Sequence, residues 1–266
     1  MSASRILAPR VVLFDLDDTL FAHRAAVDGA IEQTRVRLGL TGDAGEAAEA
    51  ARWTQLEELH YHRYLAGELD YVGQRRARVH DFLEPYGIRL TDAEAEAWFE
   101  DYLAGYRARF VLHDGALPCL DALEQRLPGV RFGIVTNGDE AFQTAKLAAL
   151  GITDRIEHLV SSGAFGVVKP DPRIFRYACD RFGVRAQDAV MVGDRLGTDA
   201  LGAARAGLGG VWLNRIGVVP TDAERTEAEE FGVRTATTLT EVASLLTQDV
   251  LTQQALAARP EPASGR

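Results

Sequence analysis

Val11-Val12-Leu13-Phe14-Asp15-Leu16-Asp17-Asp18-Thr19-Leu20 runs from four apolar residues straight into three acids and a hydroxyl. An unbroken apolar run of this length is the pattern of a strand covered on both faces, and the acids then stand just beyond its carboxyl end. Residues 131–135, 157–160, 189–192 and 210–213 repeat the apolar pattern, and helical segments over 140–150, 172–182 and 198–206 alternate with them. Strand and helix in alternation predict an α/β fold with a doubly wound parallel sheet.

Residues 22–110 read differently. They are rich in Ala, Glu and Arg, and bulky residues such as Trp53, Leu56, Leu59 and Tyr64, then Trp98, Tyr102 and Tyr106, recur at helical spacing. Turn signals over 39–45, 67–70 and 87–91 divide the stretch into about four helices. The expected organisation is a core of residues 1–21 and 111–247, with an inserted α-helical cap domain over 22–110. Residues 248–266 end in a polar, Pro-containing stretch that is expected to be a disordered tail.

The chain has 266 residues, 47% hydrophobic and 26% charged, so a normal core needs no disulfide or structural metal. Against 39 acids stand 29 basic residues, a net charge of −10 that argues against a nucleic-acid polymer or an anionic membrane as partner. Cys119 and Cys179 form no disulfide framework and show no metal-binding spacing. With no signal-peptide pattern and no apolar run of about 18 residues, the expected location is the cytoplasm. Only two of the basic residues are lysines, Lys146 and Lys169, and Lys146 is expected on a surface helix.

The residues just beyond each strand carry the chemistry. Besides the acids after Phe14, Thr136, Asn137 and Gly138 come after the second strand, and Gly193 and Asp194 after the fourth, with Asp199 five residues on. In an open parallel sheet ligands bind outside the carboxyl ends of the strands, so these groups share one edge. Carboxylates gathered in a partly dry site repel one another unless a cation sits among them, and oxygen-only ligation suits Mg²⁺. A carboxylate such as Asp15 can then attack a phosphate as a nucleophile, while Asp17 can give a proton to a leaving oxygen and later take one from water. Thr136 and Asn137 offer donors to phosphoryl oxygens. Lys169, in a loop feeding a helix that starts near Pro172, can neutralise developing charge.

Each position also has a plainer reading. Asp or Thr after a strand often caps a helix, Asp199 can sit in a first helical turn, and Lys169 can be a solvated loop residue. Asp18 reads as a turn acid. Arg75, Arg76 and Arg78 are candidates for contacting a leaving group, or simply a solvated helix face.

Four motifs in order settle the weighting: DLDDTL at 15–20, TNG at 136–138, VVKPDPRIF around Lys169 and GDRLGTDALGA from Gly193. Together they resemble the haloacid dehalogenase-like (HAD) hydrolase superfamily over about residues 11–246. The resemblance implies a Rossmannoid core with a type-one helical cap and a Mg²⁺-dependent phosphatase working through an aspartyl-phosphate. It implies Asp15 as nucleophile and Asp17 as acid/base with its carbonyl on the metal. Thr136, Asn137 and Lys169 become phosphate-binding residues, and Asp194 with Asp199 completes the metal set. The dehalogenases lack the second acid of the first motif, so Asp17 favours phosphoryl transfer, and a cap without lysine excludes the Schiff-base route of the phosphonatases. Core details resemble branches containing pyrimidine 5′-nucleotidases and N-acylneuraminate-9-phosphatase, which implies a small phosphorylated metabolite, a nucleotide or sugar phosphate, as substrate. The alternatives are a β-phosphoglucomutase-like phosphomutase and a catalytically silent binding protein of the same fold.

Overall fold

The structure, a computed structural model, describes residues 8–40 and 45–257. The chain divides into two compact units, Met1–Phe21 with Leu112–Arg266, and Ala22–Val111. The first element is strand β1 (Val11–Phe14), every residue of which is fully buried. The chain leaves the first unit after Phe21 and re-enters it at Leu112, where those two residues pair in an antiparallel bridge.

The second unit is helical: α1 (His23–Leu38), α2 (Glu46–Leu65), α3 (Tyr71–Leu83) and α4 (Asp92–Arg107). Side chains cap the starts of two of these helices. Asp70 caps α3 by accepting from the Gly73 N–H at 2.5 Å, and Thr91 and Glu94 form a reciprocal capping box on α4. Its core is aromatic: fully buried Trp53 meets Tyr102, Phe82 and Trp98 at centroid distances of 4.8, 5.1 and 5.4 Å. The three arginines of α3 are engaged inside this unit. Arg78, only 5% exposed, lies over the Trp53 ring and 2.7 Å from Glu57, Arg76 meets Asp92 at 2.5 Å, and Arg75 lies over Tyr71.

The first unit continues with α5 (Ala116–Arg126), β2 (Arg131–Thr136), α6 (Glu140–Ala149), β3 (His158–Ser161), α7 (Ser162–Phe165) and α8 (Pro172–Phe182). Then come β4 (Ala189–Gly193), a π-helical turn (Leu196–Ala200), α9 (Leu201–Arg205), β5 (Gly209–Leu213), α10 (Asp222–Phe231), β6 (Arg234–Ala236) and α11 (Leu239–Ala257). The six strands are all parallel in the order β3-β2-β1-β4-β5-β6, so the doubly wound α/β fold expected from the alternating pattern is the observed one. β1 lies between β2 and β4, and the crossovers leave it in opposite directions. That is the switch point where such sheets open a crevice.

Three details differ from the sequence reading. β6 was not anticipated, because three residues on a sheet edge carry too little apolar pattern to register. The helix expected over 198–206 is a π-helical turn followed by α9. The tail expected to be disordered from 248 is helical as far as Ala257, since no Gly or Pro interrupts it before Pro260; residues 258–266 lie outside the described part. Among the described residues no helix is long and apolar enough to cross a membrane.

Candidate active site

The carboxyl end of β1 delivers Asp15, whose N–H donates to the Val192 carbonyl of β4 at 2.8 Å. Its buried carboxylate lies 2.6 Å from Lys169 Nζ, which sits equally close, at 2.7 Å, to Asp199 Oδ1. Lys169 is 4% exposed, so the solvated-loop reading is excluded. Asp199 is brought in by the π-helical turn and also accepts from the Arg195 N–H at 3.0 Å. It packs so closely on Gly193 that a Cβ there would fall 2.3 Å from its own Cβ, so only glycine fits. Asp194 comes directly after. Its N–H donates to Thr19 Oγ1 at 3.0 Å, and the Trp212 indole donates to its carbonyl at 2.9 Å. Thr19 Oγ1 in turn lies 3.5 Å from both Asp15 Oδ2 and Asp194 Oδ1.

The end of β2 braces the other side. Asn137 Oδ1 accepts from the Lys169 N–H at 2.8 Å, and its amide donates to the Lys169 carbonyl at 3.1 Å. The side chain expected to bind phosphate thus also positions the lysine loop. Thr136 is buried, and its hydroxyl accepts from Gln143 Nε2 at 3.1 Å. Asp17 is turned toward α6: Lys146 Nζ lies 2.5 Å from its Oδ1, and Gln143 Nε2 lies 3.2 Å from its Oδ2. Lys146 is 1% exposed, which corrects the expectation of a surface residue. Asp139 caps α6 just beyond the end of β2 and sets the helix so that this lysine faces a carboxylate able to compensate its burial. Asp18 has φ of 57° and donates its N–H to the Phe21 carbonyl at 2.8 Å, consistent with a turn acid.

The electrostatics reflect this crowding. Burial pushes the Asp15 carboxyl well above the usual carboxylate range; Lys169 pulls it down, and Asp199, Asp194 and Asp17 push it up again. Asp194 is raised to about 7, first by burial and then by Asp199 and Asp18. Burial disfavours the charged form of Lys169, but Asp15 and Asp199 outweigh it and hold the ammonium's pKa above its ordinary value. Asp15, Asp194 and Asp199 each place a carboxylate oxygen within 4.8 Å of the others. A hard, all-oxygen donor set that resists ionisation by itself is the donor chemistry of a small divalent cation.

Among the residues named from sequence, Asp15, Lys169, Asp194 and Asp199 meet directly, with Thr136, Asn137 and Asp17 around them. Thr19, Gln143 and Lys146 were missed. A polar pair three apart in the helix after TNG, including one of two lysines in the chain, was the available signal.

Fold and site together define an α/β enzyme of the phosphoryl-transfer class with a helical insertion after its first strand. The sequence pattern of the haloacid dehalogenase-like hydrolases matches residues 9–207, and the chain belongs to that family. It is 33% identical over 238 residues to a phosphoserine phosphatase of Thermus thermophilus, covering 81% of this chain and 92% of the relative. It is 35% identical to a glyceraldehyde 3-phosphate phosphatase of Pyrococcus abyssi (77% and 81% covered) and 30% identical to the mouse N-acylneuraminate-9-phosphatase (83% and 87%). Among solved structures it resembles the HAD-hydrolase YfnB of Bacillus subtilis, with TM-score 0.70, 24% identity and 90% and 99% of the two chains covered. The protein is a phosphatase of this family.

Proposed function

We propose that the protein is a Mg²⁺-dependent phosphomonoesterase that turns over a small phosphorylated metabolite through an aspartyl-phosphate. The observation that carries this reading is Lys169 Nζ shared between Asp15 and Asp199, 2.6 and 2.7 Å away, beside Asp194. Asp15, Asp194 and Asp199, with the Asp17 carbonyl, would hold the cation, which when bound screens the acids from an incoming dianion. Asp15 attacks phosphorus in line. The Asp17 carboxylic acid protonates the leaving oxygen, then as carboxylate accepts a proton from the water that hydrolyses the acyl phosphate. Lys169, the Thr136 hydroxyl and the second amide hydrogen of Asn137 stabilise the charge that builds on the phosphoryl oxygens.

A phosphatase is favoured over a phosphomutase because the three relatives are all named as phosphatases, and over a silent binding protein because every acid of the mechanism is present. Those names, phosphoserine, glyceraldehyde 3-phosphate and N-acylneuraminate 9-phosphate, suggest a small phosphomonoester as the substrate class, with nucleotides and sugar phosphates in the same panel. The test is a Mg²⁺-supplemented phosphate-release screen of wild type and Asp15→Asn. Wild type is expected to hydrolyse part of the panel and the variant none; undiminished release by the variant overturns the nucleophile assignment.

A further inference from the structure

One helix holds both oxygens of the Asp17 carboxylate. Lys146 Nζ lies 2.5 Å from Oδ1 and Gln143 Nε2 lies 3.2 Å from Oδ2. The two holders are three positions apart on α6 and so share a face. They are 1% and 3% exposed, whereas the Asp17 side chain keeps 27% of its surface open. Lys146 Nζ is flanked by the rings of Phe21 and Phe142, 4.9 and 5.4 Å from their centroids. Gln143 also reaches Thr136 Oγ1 at 3.1 Å, which ties the carboxylate to the end of β2. Gly138 makes room for that amide, since a Cβ there would fall 2.7 Å from Gln143 Nε2. Neither residue belongs to the Asp15, Asp194 and Asp199 trio.

We propose that Gln143 and Lys146 are positioning residues that lock the Asp17 carboxylate in the rotamer from which it moves the reaction's protons. The inference rests on the reading of Asp17 as acid/base. In the first step the Asp15 oxygen bonds phosphorus, the bond to the leaving oxygen breaks, and the Asp17 proton passes to that oxygen. In the second, a water oxygen bonds phosphorus, its proton passes to Asp17, and the bond to Asp15 breaks. An alkyl leaving group needs the proton in the first step. A p-nitrophenolate does not, although the second step still needs Asp17. A mispositioned Asp17 therefore separates two substrates that a general structural defect would slow alike.

The experiment uses the full chain with Mg²⁺ and the variants Lys146→Met, Gln143→Leu and Lys146→Arg, each checked for cooperative melting. The probes are p-nitrophenyl phosphate in stopped flow and the faster-hydrolysed of phosphoserine and glyceraldehyde 3-phosphate in the steady state. Expected for Lys146→Met and Gln143→Leu is an alkyl-ester kcat down about 100-fold with little change in KM. With the aryl ester the same variants should give a stoichiometric p-nitrophenolate burst ahead of slow turnover, and Lys146→Arg should recover part of the alkyl rate. Equal losses on both substrates without a burst, or wild-type rates, overturn the proposal. Should Lys146→Met not fold, the neutral, similar-sized Gln143→Leu carries the same test. Asp17→Asn separates the two levels: full alkyl turnover there overturns the acid/base reading itself, whereas its loss alongside wild-type positioning variants overturns only the clamp.

Discussion

Replacing Lys169 by Met removes two ion pairs at once, at N···O distances of 2.6 and 2.7 Å, whose three side chains are all 9% exposed or less. At those distances, and an effective dielectric of about 20, each attraction is about 6 kcal/mol. Most of that is offset by the cost of burying the three ions. The remainder shows itself when one partner is deleted, because the stranded carboxylates keep their burial cost; breaking a buried pair in this way costs about 3–5 kcal/mol. In a chain of this size that is a fall in Tm of roughly 10 °C or more, and a large share of an ordinary folding stability. The loss depends on pH in a defined sense. Lys169 has a folded-state pKa above its ordinary value, so its contribution is complete below the unfolded pKa and is lost only as pH rises through the folded one. Asp15 is raised, so acid neutralises it and spares the variant. Denaturation followed by circular dichroism in EDTA should therefore show a larger gap between wild type and Lys169→Met at pH 8 than at pH 4. A gap under about 1 kcal/mol at pH 8, or one independent of pH, would mean that Lys169 does not compensate these acids. Lys169→Arg should recover little turnover, because a planar fork needs more room than the compact ammonium it replaces.

The cluster of Asp15, Asp194 and Asp199 gives a second pH signature. Asp194 has its pKa raised to about 7, above the unfolded value, so its ionisation opposes folding: stability is fullest at low pH and declines as pH rises through about 7. Thermal melts should accordingly show Mg²⁺ raising Tm more at pH 8 than at pH 5, and equal shifts at both would refute a cation held by these carboxylates. In the helical unit, Trp53→Ala deletes a fully buried ring packed against Tyr102, Phe82 and Trp98 and should cost about 3–5 kcal/mol; a change in Tm of under about 2 °C would refute that packing.

Whatever depends on position after a strand was legible in the chain. The strand over 11–14 reads correctly because both faces are covered and no polar residue interrupts it, and Asp15, Thr136 and Asp194 are then placed by where the strands stop. The boundary features were not legible. β6 is too short to show a period, and the π-helical turn that delivers Asp199 has no pattern of its own. Arg78 is buried through Glu57 and Trp53, partners remote in sequence that no helical wheel reveals. Lys146 misled for a similar reason. A lysine in the last turn of a helix is solvated in nearly every case, and here only a carboxylate delivered by a different strand reverses that.

Both lysines turn out to share one setting. Each is almost completely buried, and each ends on a site carboxylate, Lys169 between Asp15 and Asp199 and Lys146 on Asp17. A guanidinium presents its donors in a rigid plane and suits exposed or bidentate pairings, which in this chain are made by arginine, as in Arg173 with Asp171 and Arg205 with Glu227. An ammonium is a point charge on a thin stem, and three donors around one atom can serve two carboxylates of different orientation, as Lys169 does. In a chain that otherwise uses arginine, Lys169 stands where one compact charge must serve two buried carboxylates, and Lys146 where a single Asp17 oxygen takes the charge. On the same grounds Lys146 belongs with Lys169 to the site's electrostatic frame, rather than among the surface residues of α6.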